Sequence, residues 1–149
     1  MGYELIFLDI MQGDLFINEK DAWVTWGINM GDGFLDAIDT LLPMKDYIEN
    51  NSRLEHGKRI ITSNAKVDSR DVTLQFTLTG DSPEDYRSKK NAFQQELIQG
   101  NINIHVPALG DDIYKLVYTG KSVSYGLSQD RCFGKLSSKF VEPNPVDRA

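Results

Sequence analysis

Few side chains in this 149-residue chain combine a reactive type with a spacing that chemistry can use. Its two histidines, His56 and His105, fall in a loop and on the polar face of an expected strand. There a solvated or hydrogen-bonded imidazole is the expectation, ahead of a general base or a ligand. One cysteine and two distant histidines offer no zinc spacing. Cys132 lies in a strand-like pattern beside Phe133, which suits a buried thiol better than a nucleophile. The carboxylates Asp111 with Asp112, and Asp32 with Asp36, have the composition of a cation site or an acid/base pair. Turn chemistry accounts for the first pair and the solvent side of a helical turn for the second, and neither follows the calcium-loop pattern with its final Glu. Gly31-Asp32-Gly33 lacks the dinucleotide glycines, Gly57-Lys58-Arg59 lacks a phosphate-loop frame, and no Gly-x-Ser-x-Gly occurs. The expectation is a protein that is not an enzyme, with no catalytic set, no cofactor and no metal.

The aromatic residues carry more promise. Trp23, Trp26, Tyr114, Tyr118 and Tyr125 all fall on expected strands. They can fill a core, or Trp23, Trp26 and Tyr125 can present a contact face, since Trp and Tyr dominate binding hot spots. A stacking platform for nucleic acid also needs a basic groove, and Lys89-Lys90 with Lys58-Arg59 are too few to line one. The whole chain points the same way. Lys and Arg number 16 against 22 Asp and Glu, for a net charge of −6, the wrong sign for a general grip on phosphates. An apolar fraction of 40% with 26% charged residues is ordinary for a globular chain, and its length favours one domain, residues 1–149. No apolar run reaches the roughly 18–20 residues of a membrane span, and the start carries Glu4 and Asp9 where a signal peptide is basic. A single cysteine fits a reducing compartment.

The elements that must position these residues are mostly strands. Residues 3–8 and Leu15-Phe16-Ile17, separated by Gln12-Gly13-Asp14, read as an N-terminal hairpin or an extended arm over residues 1–18. Ala22 to Ile28, dense in aromatic and β-branched types, reads as a strand. Residues 29–57 read as a long loop in which Phe34 to Leu42 makes two helical turns before Pro43. Val72, Leu74, Phe76 and Leu78 alternate with polar residues as a strand with one apolar face. Ser82-Pro83-Glu84-Asp85 opens a helix over residues 83–99, with Tyr86, Phe93 and Leu97 on one stripe and Gly100 as its stop. Strands at 101–106 and 113–119 read as a hairpin, followed by runs at 121–125 and 131–141 and a polar tail at 143–149. The fold class is therefore β-rich α+β: an antiparallel β-sandwich or split barrel with one main flanking helix.

This order of elements resembles the N-terminal domain of siphophage distal tail proteins and the related tail-tube fold. The resemblance is carried by the strand Arg70 to Gly80 and the Ser/Pro-started helix with its Tyr86, Phe93 and Leu97 stripe. Leu97-Ile98-x-Gly100 and the hairpin around Tyr114-Lys115-Leu116-Val117-Tyr118 complete it. It covers mainly residues 59–141, and members of that group often carry a second domain after this one. The resemblance implies a phage or prophage virion protein, assembled in the bacterial cytoplasm. Its subunits close into a ring, with a hexamer one candidate size, and join tail tube to tail tip through contacts with other tail proteins. It implies no specific nucleic-acid binding and no membrane. An acidic chain suits a channel through which DNA slides. Rings need a heterologous contact, and the 29–57 loop is the expected element for it, with Phe34, Leu35, Ile38 and Leu41 as subunit-interface residues. The alternative is a monomeric β-sandwich that binds a ligand or carbohydrate through Trp23, Trp26 and Tyr125.

Overall fold

A computed structural model describes residues 12–46, 48–50, 57, 59–61 and 66–149. The expected first run at residues 3–8, with the arm up to residue 11, and His56 and Lys58 in the loop all lie outside the described residues. In chain order the elements begin with β1 (Phe16–Ile17), β2 (Lys20–Asp21), helix α1 (Ala22–Trp26), β3 (Ile28–Met30) and helix α2 (Phe34–Ile38). They continue with β4 (Ile48–Asn50), β5 (Arg59–Ile61), β6 (Arg70–Thr79) and helix α3 (Pro83–Ile98). The last are β7 (Asn101–His105), a 3₁₀ turn (Pro107–Leu109), β8 (Ile113–Leu127) and β9 (Phe133–Glu142). Seven strands form one antiparallel sheet in the order β2-β1-β7-β8-β9-β6-β3, while β4 and β5 make a separate two-stranded ribbon. The fold is β-rich α+β, and the sheet stays open at β2 and β3 without closing into a barrel.

Local chemistry explains most of these elements. Ser82 Oγ accepts from the Asp85 amide at 3.1 Å, and the Asp85 carboxylate accepts from the Asp81 amide at 2.8 Å. One orphan donor of the first turn of α3 and the amide just ahead of its cap are thereby satisfied. Gly100, at φ 93°, follows the helix end. Residues 22–26 depart from the expected strand. Asp21 Oδ1 accepts from the amides of Trp23 (3.0 Å) and Val24 (3.2 Å), and Gly27 closes the turn at φ 65°. A capped helical turn therefore overrides the β-propensity of Trp23-Val24-Thr25-Trp26. The first described hairpin turns at Asn18-Glu19, both at positive φ, one turn later than Gln12-Gly13-Asp14. Residues 121–125 are not a separate strand. They continue β8 past two register shifts, between Tyr118 and Lys121 and between Lys121 and Ser124. Cys132 sits half-buried in the turn before β9 and is not part of the strand.

One face of the sheet carries the core. Val72, Leu74, Phe76 and Leu78 of β6 are buried, as are Ile102 and Ile104 of β7, Tyr114 and Leu116 of β8, and Phe140 of β9. Tyr86, Phe93 and Leu97 of α3 cover them. Phe76 is the junction, with ring centroids 5.3 Å from Phe34, 5.6 Å from Phe93 and 6.1 Å from Phe140 in edge-on contacts. Tyr86 lies against β9 at Gly134, where a Cβ would collide with its hydroxyl, so a larger residue there must displace that ring.

A buried ion cluster fastens one end. Glu142, with no exposed side chain, accepts from Arg70 Nε at 2.6 Å and from Arg148 Nε and Nη2 at 3.0 and 2.9 Å. Arg70 also donates to the carbonyls of Ile38 (2.7 Å) and Thr40 (3.3 Å), satisfying the end of α2. Burial pushes the Glu142 carboxyl up, but the Arg148 and Arg70 hydrogen bonds outweigh it and hold it below its ordinary value. A depressed carboxylate contributes stability above its unfolded pKa, about 4.3, and that stability is lost as pH falls through the folded value. Glu142→Gln should therefore cost about 3–5 kcal/mol at pH 7 by leaving two guanidinium groups uncompensated. It should also flatten the loss of stability below about pH 4.3, as read by urea unfolding at a series of pH values.

Candidate functional site

Among the described residues no cluster of three or more His, Cys, Asp or Glu side chains is arranged to hold a metal ion. His105 Nδ1 lies 3.3 Å from the Asp112 carbonyl, a contact within its own hairpin, and Asp111, Asp112, Asp32 and Asp36 are exposed. Partial burial, then the Asp130 charge, pushes the Cys132 thiol up, away from the thiolate a nucleophile requires. No helix among the described residues is long and apolar enough to cross a membrane.

The surfaces are more informative. Of the expected interface residues, Phe34 (1% exposed) and Ile38 (0%) are spent on the chain's own core, one helical turn apart on the inner side of α2. Leu35 faces outward at 40% exposed, and Leu41 is almost entirely in solvent at 90%. Leu42 and Met44 are also exposed, so an apolar strip runs from α2 along residues 41–44. Met44 bridges to Val67, and the Lys45 amide donates to the Lys66 carbonyl at 2.9 Å. Residues 43–45 thus run antiparallel to 66–68, in line with the β4–β5 ribbon. The side chains that point away from the core in this stretch carry mostly negative charge: Asp32, Asp36, Asp39 and Asp46 against Lys45.

The expected aromatic face divides between two elements. Trp26 is buried on α1 with its ring centroid 5.6 Å from Phe93, and Trp23 is half-buried on the same short helix. Tyr125 stands on the far half of β8, and its hydroxyl is 2.7 Å from that of Tyr86. Burial, helped by that bond, holds the Tyr86 phenol protonated well above its ordinary value. Beside this pair an apolar groove of about 270 Å³ opens between α3 and the sheet, lined by Phe93, Leu97, Tyr118, Val123, Tyr125 and Leu136. Lys90 places its ammonium 5.3 Å from the Tyr125 ring centroid at the groove wall.

The sequence marks a run at 121–125 and Tyr125 within it, but not that this half of β8 is an edge. β7 pairs only with Ile113 to Val117, so β8 beyond Tyr118 is paired through β9 alone among the described residues. Residues 120–127 are exposed. Val123, Tyr125 and Leu127 alternate along that free edge, a period-2 signal that was present in the sequence.

No protein-family model matches the sequence. No curated protein matches it either. Among solved structures the fold is similar to the crystal structure of the Dit (gp 19.1) protein of phage SPP1, described as a paradigm of the hub adsorption apparatus in phages that infect Gram-positive bacteria. The TM-score is 0.57 at 12% identity, over 89% of this chain and 50% of that one, so the chain spans about half the length of that protein. At that identity the likeness is one of fold.

The division of the loop residues is directly testable. Phe34→Asp should destabilise the fold by at least about 3–5 kcal/mol, combining a lost core ring with a buried charge. Leu41→Asp should stay within about 0.5 kcal/mol of the parent, as an exposed substitution does. Chemical denaturation of the two variants checks both values.

Proposed function

We propose that this chain is a structural subunit of a phage or prophage tail, which self-assembles into a closed ring joining the tail tube to the tail tip. The fold shared with SPP1 Dit over most of the chain carries this reading. Two further features support it. Leu35, Leu41, Leu42 and Met44 form an apolar strip that is partly exposed and, at Leu41, almost wholly so. The far half of β8 has, among the described residues, no strand partner on one side, so a neighbour can complete it. Its partners would be copies of itself and other tail proteins, and its place the virion tail after assembly in the bacterial cytoplasm. A monomeric ligand-binding module is the weaker reading, because Trp26 is committed to the core and leaves Trp23 and Tyr125 on separate elements.

Light scattering after size exclusion, over a concentration series of the purified chain, tests the ring. The expected outcome is a discrete species whose mass is a small integral multiple of 16.9 kDa. Strict monomer at every concentration, with and without the neighbouring tail proteins of the same phage, overturns it.

A further inference from the structure

Charge is unevenly distributed over this acidic chain. Residues 32–46 hold Asp32, Asp36, Asp39 and Asp46 against Lys45, whereas residues 121–139 hold Lys121, Arg131 and Lys135 against Asp130, with Lys139 already paired to Asp71 at 3.1 Å. Each charged stretch coincides with exposed apolar side chains: Leu35, Leu41 and Met44 in the first, Val123, Tyr125 and Leu127 in the second. Two surfaces of opposite charge and matching apolar character are complementary in the sense that steers association and fixes register.

They cannot meet within one chain. Arg70 binds the carbonyls of Ile38 and Thr40, which places the acidic strip at the Arg70–Glu142 end of the sheet. Tyr125 and Leu127 stand opposite Leu136 and Gly134, which in turn pair with Phe76 and Leu78. At about 3.3 Å per residue, these positions lie roughly 20–27 Å along the strands from Arg70. A surface at one end that matches a different surface at the other end generates a heterologous contact, the kind that closes into rings.

The receiving surface is also shaped for a strand. The two register shifts, with Gly120 and Ser122 at positive φ, bend β8 where its pairing with β7 ends. Val123 to Leu127 remain as a short regular edge, with the apolar groove and Lys90 on the α3 side. Lys121 precedes that edge on β8, opposite Lys139, and Lys135 stands one strand inward on β9, opposite Gly126, whose lack of a side chain leaves Lys135 open toward the edge.

We propose that the acidic apolar strip of one copy, centred on Leu41 to Asp46, docks against the free β8 edge and its groove on the next copy. Apolar side chains would enter the groove, and Asp36 and Asp46 would face Lys121 and Lys135. This inference rests on the ring reading above and names the two faces that meet.

The test uses two charge-reversed proteins, Asp36→Lys/Asp46→Lys and Lys121→Glu/Lys135→Glu. All four positions are exposed, and circular dichroism checks the fold of each. In light scattering, each variant alone should need at least roughly tenfold more protein than the parent to assemble, because like charges then meet at every contact. An equimolar mixture should recover to within roughly threefold of the parent, since each copy again meets an opposite charge on its neighbour. If the parent assembles and both variants match it, or the mixture gains nothing, the inference is overturned while the ring stands. If the parent never assembles, the ring reading falls and this inference with it. A second experiment needs no charge change. Leu41→Cys and Val123→Cys proteins, both in a Cys132→Ser background, should form a disulfide with each other when mixed and none when kept apart. A disulfide within either single variant, or none in the mixture, contradicts the proposed contact.

Discussion

Glu142 is the only carboxylate among the described residues that has lost all contact with water, and much of the molecule is arranged around keeping it paired. Its two guanidinium partners come from opposite directions. Arg70 opens β6, and Arg148 returns from the end of the chain to stack over Tyr114 with its cation 4.7 Å from the ring centroid. The Ile113 amide donates to the Arg148 carbonyl at 2.8 Å, so the C-terminal residues are pinned to the start of β8. Through its remaining donors Arg70 holds the end of α2, which places Phe34 and Ile38 in the core and turns Leu35 and Leu41 outward. Such a cluster adds little net stability over an apolar equivalent, but breaking it is costly. Its role here is positional: one end of the sheet is locked, and the exposed strip is held on that end.

The opposite end is built without such a lock. There the helix α3 covers the sheet through Tyr86, whose hydroxyl lies in the space left by Gly134 of β9, and it meets β8 at the Tyr86–Tyr125 hydroxyl pair. Beyond it β8 keeps one edge unpaired among the described residues, and an open apolar groove. A monomer gains nothing from such an edge, which exposes backbone donors and acceptors to chance pairing. The bulges and the surrounding lysines limit that risk by narrowing the edge to a few residues and giving it a charge. A locked end that presents an acidic strip and an open end that presents the free half of β8 make the two ends of the molecule different and give it a direction.

The parts of the fold that were legible in the sequence are those determined locally. Ser82-Pro83 and the carboxylates behind them specify the start of α3, and the strict alternation from Val72 to Leu78 specifies β6 and its buried face. Residues 22–26 were not legible, because their side chains favour a strand while the deciding contacts come from the Asp21 cap just before them and the positive φ of Gly27 within the run read as a strand. The ion cluster was invisible for a different reason: Arg70 and Glu142 are 72 positions apart, and Arg148 falls in what reads as a solvated tail. The candidate surface was half legible. Phe34 and Ile38 have the i, i+4 spacing of an inward-facing helix side, which separates them from Leu35. The unpaired edge of β8 depends on where β7 ends, and only the register of the folded sheet reveals it.

Amide hydrogen exchange of the assembled particle, compared with the dissociated chain, tests the central claim most directly: that a neighbour completes the free half of β8. The account predicts that amides of residues 123–127 exchange rapidly in the dissociated chain and become strongly protected on assembly, together with residues 41–46. Assembly that leaves residues 123–127 as exchangeable as before, with protection gained elsewhere, would contradict it.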